Sequence, residues 1–131
     1  YNTIGRQASC MVRTRVVSTR SPGLAAVEPG DIHPIAISHG EGRFMADQET
    51  LARLAANGQI ATQYVDLDGN ASVDIHFNPN DSMCAIEGIT SPDGRVFGKM
   101  GHSERVGRYL YKNVPGNYDI QMFAAAVKYF R

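Results

Sequence analysis

Two Asp-Gly turns, each between short runs of alternating apolar residues, constrain this chain most. QIATQYVD (59–66) and ASVDIHF (71–77) flank LDGN; MCAIEGITS (83–91) and RVFGKMG (95–101) flank PDG (92–94). Glycine takes positive φ readily, so Asp-Gly between such runs predicts two hairpins. SCMVRTRVVS (9–18) reads as an earlier strand, broken at Pro22 and Gly23. HPIAISHGEGRF (33–44) begins as a buried strand, Ile35 to Ser38, and runs into Gly40 and Gly42.

Only two segments have helical period. In ADQETLARLAANG, Asp47 is the predicted cap, Leu51, Leu54 and Ala55 share a face, and Gly58 ends the helix. A second helix is predicted from a cap at Asn117 to Phe130, with Ile120, Phe123, Ala124, Val127 and Phe130 as its apolar stripe. Strands outnumber helices, which predicts an α/β layered domain with a mixed sheet across residues 1–131.

The 131 residues carry 13 basic and 13 acidic side chains, so no global field attracts nucleic acid or an acidic membrane. No apolar run approaches the roughly 18 residues of a membrane span. Cys10 and Cys84 do not form a disulfide framework, and a reducing, cytoplasmic setting is the expectation. The chain opens at Tyr1 rather than Met and enters structured sequence almost at once, as a piece of something longer would.

The candidate chemistry centres on GKMGHSERVGR (98–108), which holds His102 and Glu104 two residues apart. In extended backbone such residues share a side. The carboxylate can hold one imidazole nitrogen and leave the other free to accept a proton. A loop histidine beside a surface glutamate is the plainer alternative. Ser103, between them, is expected to point away. Neither Cys10 nor Cys84 has the small flanking residues and following helix of a nucleophile elbow.

In SHGEGRF, His39, Glu41 and Arg43 alternate at a strand end, as candidates for a substrate pocket or an interface; a tight turn with a solvated ion pair is equally compatible. If the strands leading to His39 and His102 run in one direction, both ends emerge at one edge and the turn lies beside His102. His33, His39, His76 and His102 are too scattered for a metal set, and none is expected. DLDGN lacks the glycine and terminal glutamate of a calcium loop. NAS and NDS match glycosylation sequons only by short pattern. Arg13 and Arg15 share one face of the first strand, open to an anion, a neighbouring domain or solvent.

Four stretches together carry a resemblance: YNTIGRQASCMVRTRVVSTRSPGL, PIAISHGEGRF, NPNDSMCAIEGITSPDGRVFGKMGHSER and NVPGNYDIQMFAAAVKYF. In this order, and over essentially the whole chain, they resemble the C-terminal glutaminase domain of phosphoribosylformylglycinamidine synthase, a class I glutamine amidotransferase. The resemblance implies a three-layer, flavodoxin-like glutaminase fold present only as its C-terminal part. It implies His102 as triad base and Glu104 as its orienting partner, with the cysteine nucleophile on an elbow before Tyr1. Glutamine is then the substrate, and ammonia passes to a synthetase domain of the same polypeptide. ATP and magnesium belong to that domain, and these residues hold no cofactor. Alone, the piece is expected to be inactive. The family form Pro-His-Pro-Glu-Arg is changed here to Gly101-His102-Ser103-Glu104-Arg105, which removes the rigidity of two prolines. A stand-alone Cys/His hydrolase and a non-catalytic interaction module are the rival readings.

Overall fold

The structure, a computed structural model, describes residues 1–131. β1 (Ala8–Val16) alternates as its sequence dictates, with Ala8, Val12, Thr14 and Val16 buried. β2 (Ile32–His39) pairs with it along eight positions, from Ala8 opposite His39 to Arg15 opposite Ile32. β3 (Ile60–Tyr64) pairs on the other side of β1, followed outward by β4 (Ile86–Thr90) and β5 (Phe97–Lys99). Every pairing is antiparallel, so β2, β3 and β5 point one way and β1 and β4 the other.

The α/β class holds, but these residues form an antiparallel sheet where a mixed one was expected. The consecutive strands that pair, β1–β2, β3–β4 and β4–β5, are joined by loops and turns with no α-helix between them, whereas a parallel pair needs a long crossover, usually a helix. The register shifts twice between β3 and β4, at Ile60/Thr62 and Thr62/Gln63. Such irregularities bend and twist a sheet. The sheet curls until its two edges meet: the His102 N–H donates to the Ala36 carbonyl of β2 at 2.9 Å.

One apolar cluster fills the curl, with Ala8, Val12, Ile35, Ile37, Tyr64 and Ala85 and with Met100 against it. Tyr64 is fully buried, which pushes its hydroxyl pKa up, and the hydroxyl accepts from Asn80 Nδ2 at 3.1 Å. A second cluster joins Leu24, Ala61 and Ile120.

α1 (Gln48–Ala56) starts where predicted: Asp47 accepts from the Thr50 N–H at 2.7 Å, and Leu51 and Leu54 are buried. Gly58, at φ +64°, ends it. α2 (Met122–Tyr129) is shorter than the expected 117–130. Asn117 and Asp119 accept from backbone N–H groups two residues on, holding this stretch in turns. Of the predicted stripe only Ile120, ahead of the helix, is buried; Phe123, Ala124, Val127 and Phe130 are exposed, and Ala125 is the helix's buried residue. α2 rests instead on the 3-10 turn Pro22–Leu24, where Met122 packs beside Gly23.

The LDGN turn forms, but ASVDIHF is not a strand: one bridge, Val65 to Ala71, is all that pairs. Asp74 captures the His76 N–H at 2.9 Å, and Phe77 and Asn78 donate to the Asp74 carbonyl, folding the segment back on itself. Arg13 and Arg15 grip the turn's carbonyls at Leu67 and Gly69, at 2.8 and 3.1 Å.

Candidate functional site

β2 and β5 share a direction, and the curl carries their ends together. His39 closes β2; His102 follows β5 by three residues. Their imidazoles stack, with centroids 5.2 Å apart and planes 10° from parallel. His102 and Glu104 meet as well, with Nδ1 and Oε1 at 2.6 Å. They do so across a tight turn and not in extended backbone, since the Arg105 N–H donates to the His102 carbonyl at 3.2 Å. Hydrogen bonds from its own backbone N–H and from His102 lower the Glu104 carboxyl below the usual range.

With Nδ1 on the carboxylate, Nε2 is the nitrogen left to accept a proton. That atom is buried and has no hydrogen-bond partner. His39 Nδ1 is likewise buried and unpartnered. Burial, and then the adjacent His102, lowers the His39 pKa. An uncharged ring therefore lies against His102, and a proton arriving at His102 meets no second imidazolium.

The other two candidates of SHGEGRF do not share one environment. Arg43 is paired to Asp81, with Nε on its carbonyl at 3.1 Å and a guanidinium nitrogen 3.3 Å from its carboxylate. Glu41 is exposed on a shallow depression with Arg6 and Gln7. His39 therefore stands beside His102, and Arg43 is committed to an internal ion pair. Ser103 turns into the core and accepts from Lys99 Nζ at 3.0 Å.

Several residues that support the site were not singled out in the sequence. Asn2, buried, donates to the His39 carbonyl at 2.6 Å and accepts from the Gly42 N–H at 3.1 Å, fixing the end of β2. Ser82 binds the Phe44 N–H and the Gly42 carbonyl from the other side. Glu87 lies in the curl, bonded to Thr62 and to the Gly101 N–H. The signal for Glu87 was a charged residue inside the apolar run AIEGI, and for Asn2 there was none.

No three His, Cys, Asp or Glu side chains converge as a metal set. Cys10 is exposed on β1, where partial desolvation raises its thiol pKa, the opposite of what an activated thiolate needs. Cys84, at φ 53°, leads through a 3-10 turn directly into β4, with no helix behind it. No helix is long and apolar enough to cross a membrane.

A family model, the CobB/CobQ-like glutamine amidotransferase domain, matches residues 1–130. The subunit PurQ of phosphoribosylformylglycinamidine synthase from Thermomicrobium roseum is 42% identical over 94 residues, covering 72% of this chain and 39% of that protein. The subunit PurQ from Aquifex aeolicus is 35% identical over 108 residues, covering 82% of this chain and 45% of that protein. Among solved structures, a chain of PurLQS from Thermotoga maritima superposes with a TM-score of 0.72 at 25% identity, over 99% of this chain and 51% of that one. The chain thus spans less than half the length of these curated relatives.

Proposed function

Because the chain belongs to the CobB/CobQ-like glutamine amidotransferase family, we propose that it carries the base and the orienting carboxylate of a glutaminase site. One observation carries this reading: His102 Nδ1 is held by Glu104 while Nε2, buried, has no partner. A cysteine thiol attacks the side-chain amide carbon of glutamine. His102 Nε2 takes the thiol proton and returns it to the departing nitrogen, so that ammonia leaves and a thioester remains. His102 then takes a proton from water as its oxygen attacks the thioester, and gives it back to the released thiolate. Glutamate and the free thiol result. Glu104 keeps the Nδ1–H directed away from the reaction and stabilises the imidazolium that forms.

Under this reading the thiol is neither Cys10 nor Cys84 but comes from a segment outside these 131 residues. The likeness to PurQ subunits supports ammonia delivery to a synthetase partner. There it converts formylglycinamide ribonucleotide to the amidine, with ATP and magnesium bound in the partner.

The test is His102→Ala in the full-length protein with its synthetase. Glutamine-dependent synthesis should fall about 10²–10⁴-fold, the range for loss of a general base. Synthesis from added ammonium, which bypasses the glutaminase, should persist. Glu104→Ala should cost less, since it orients the base and does not itself move the proton. Normal glutamine-dependent turnover in the His102 variant would remove the assignment.

A further inference from the structure

Inside the curl lies a polar group that the glutaminase reading leaves unused. The Glu87 side chain is 0% exposed and that of Lys99 8%. A lone buried carboxylate is costly, and this one has a partner at each oxygen. Oε2 accepts from the Thr62 hydroxyl. Oε1 accepts from the Gly101 N–H at 2.5 Å and faces Lys99 Nζ at 3.8 Å. The Glu87 backbone carbonyl also accepts from the Met100 N–H at 3.1 Å. Lys99 Nζ in turn donates to Ser103 Oγ at 3.0 Å. The residues immediately before and after His102 are therefore bound to one buried pair.

We propose that Glu87 and Lys99 are positioning residues that fix the His102–Glu104 turn by holding Gly101 and Ser103 on either side of the base. This rests on the reading of His102 as the base. Neither bond could form in a Pro-His-Pro arrangement, because proline has no N–H to give Glu87 and no hydroxyl to receive Lys99. Where two rings would stiffen the turn, this sequence stiffens it with a charge-assisted network anchored in β4 and β5. The seat is also closed on its other side. A Cβ at Gly101 would lie 2.5 Å from Ile35 Cδ1 and 2.8 Å from Cγ1 and Cγ2, so the glycine lets the turn sit against β2. A displacement near 1 Å at a reacting group can cost about 10²-fold in rate, so a turn held this way matters to turnover and not to glutamine affinity.

The informative variant replaces both charges together, Glu87→Leu with Lys99→Met, in the full-length protein. An apolar pair of similar volume leaves no unpaired charge in the core, so the protein should fold. A cooperative thermal unfolding transition close to that of the parent, followed by circular dichroism of the glutaminase, reports that folding. Glutamine-dependent kcat should fall about 10–100-fold with KM for glutamine within about threefold. Glu87→Gln keeps an acceptor for Gly101 and a partner for Thr62, and should retain kcat within about threefold of the parent. A double variant with parental kcat would overturn the proposal, as would a Glu87→Gln enzyme as slow as the double variant. His102→Ala separates the two ideas. If it is inactive with glutamine while the double variant is not, only the positioning role fails; if it stays active, the base assignment itself fails.

Discussion

His33 sits in the core at 3% exposure, with Nε2 on the Thr14 hydroxyl at 3.2 Å. Burial, followed by the nearby Lys99 charge, lowers its pKa to about 4, against the opposing pull of Glu87 and Asp31. The unfolded chain binds a proton near pH 6.5 and the folded one does not until near pH 4. The stabilisation from keeping His33 neutral is therefore complete above about pH 6.5 and is lost as pH falls toward 4. It amounts to roughly 3 kcal/mol. His39 shifts in the same direction and adds to the loss. Urea unfolding at pH 7 and pH 4.5 should show this fall, and His33→Gln should flatten it; an unchanged slope in the variant would place the acid sensitivity elsewhere. The same scale shows what sequence could and could not reveal. His102 and Glu104 were legible because two residues of fitting chemistry stood two apart beside glycines. Glu87 was not, because a strand glutamate is ordinarily a solvated one, and only the curl turns this face inward.

Among the elements, the β4–β5 hairpin carries the sharpest test. Its turn places Gly94 at φ +75°, and a Cβ there would collide with the Arg20 carbonyl. Arg20 also donates from its guanidinium to the Pro92 carbonyl, so the chain after β1 is packed onto this turn. Gly94→Ala adds a positive-φ penalty to a backbone clash. It should destabilise the protein by about 1–3 kcal/mol, measured by denaturant or thermal unfolding. A variant as stable as the parent would mean that the turn yields freely. This turn was readable because Asp-Gly demands a conformation. The partner turn, LDGN, was equally readable, yet its second strand was not real. Alternation in ASVDIHF suggested a strand, but Asp74 had a competing use for its carboxylate at the His76 N–H. Local side-chain bonds of the same kind, at Asn117 and Asp119, delayed the start of α2.

At the scale of the whole molecule, the candidate site is assembled by closure of the sheet. Five antiparallel strands in the order β2-β1-β3-β4-β5 put the strand that ends in His39 and the strand that leads to His102 at opposite edges, and only the curl brings the two histidines into contact. Strand direction was enough to place both ends on one side, but no periodicity encodes how far a sheet rolls. The resulting edge brings together His102, its carboxylate partner Glu104 and the His39 ring, and neither thiol within these residues has the setting of a nucleophile. Cys10, exposed on β1, has its pKa raised by partial desolvation, so at neutral pH its thiolate is scarcer than that of a free thiol. Cys84 is exposed and sits ahead of a strand, without the strand-turn-helix setting that presents a nucleophile. The 131-residue chain alone should therefore release no ammonia from glutamine. With a glutamine-like diazo-ketone near pH 7, Cys84 should react no faster than a model thiol and Cys10 more slowly, as read by mass spectrometry of each cysteine peptide. Rapid stoichiometric labelling of either cysteine, with glutaminase activity in the same preparation, would place the nucleophile within these residues and make the chain a self-sufficient Cys/His hydrolase.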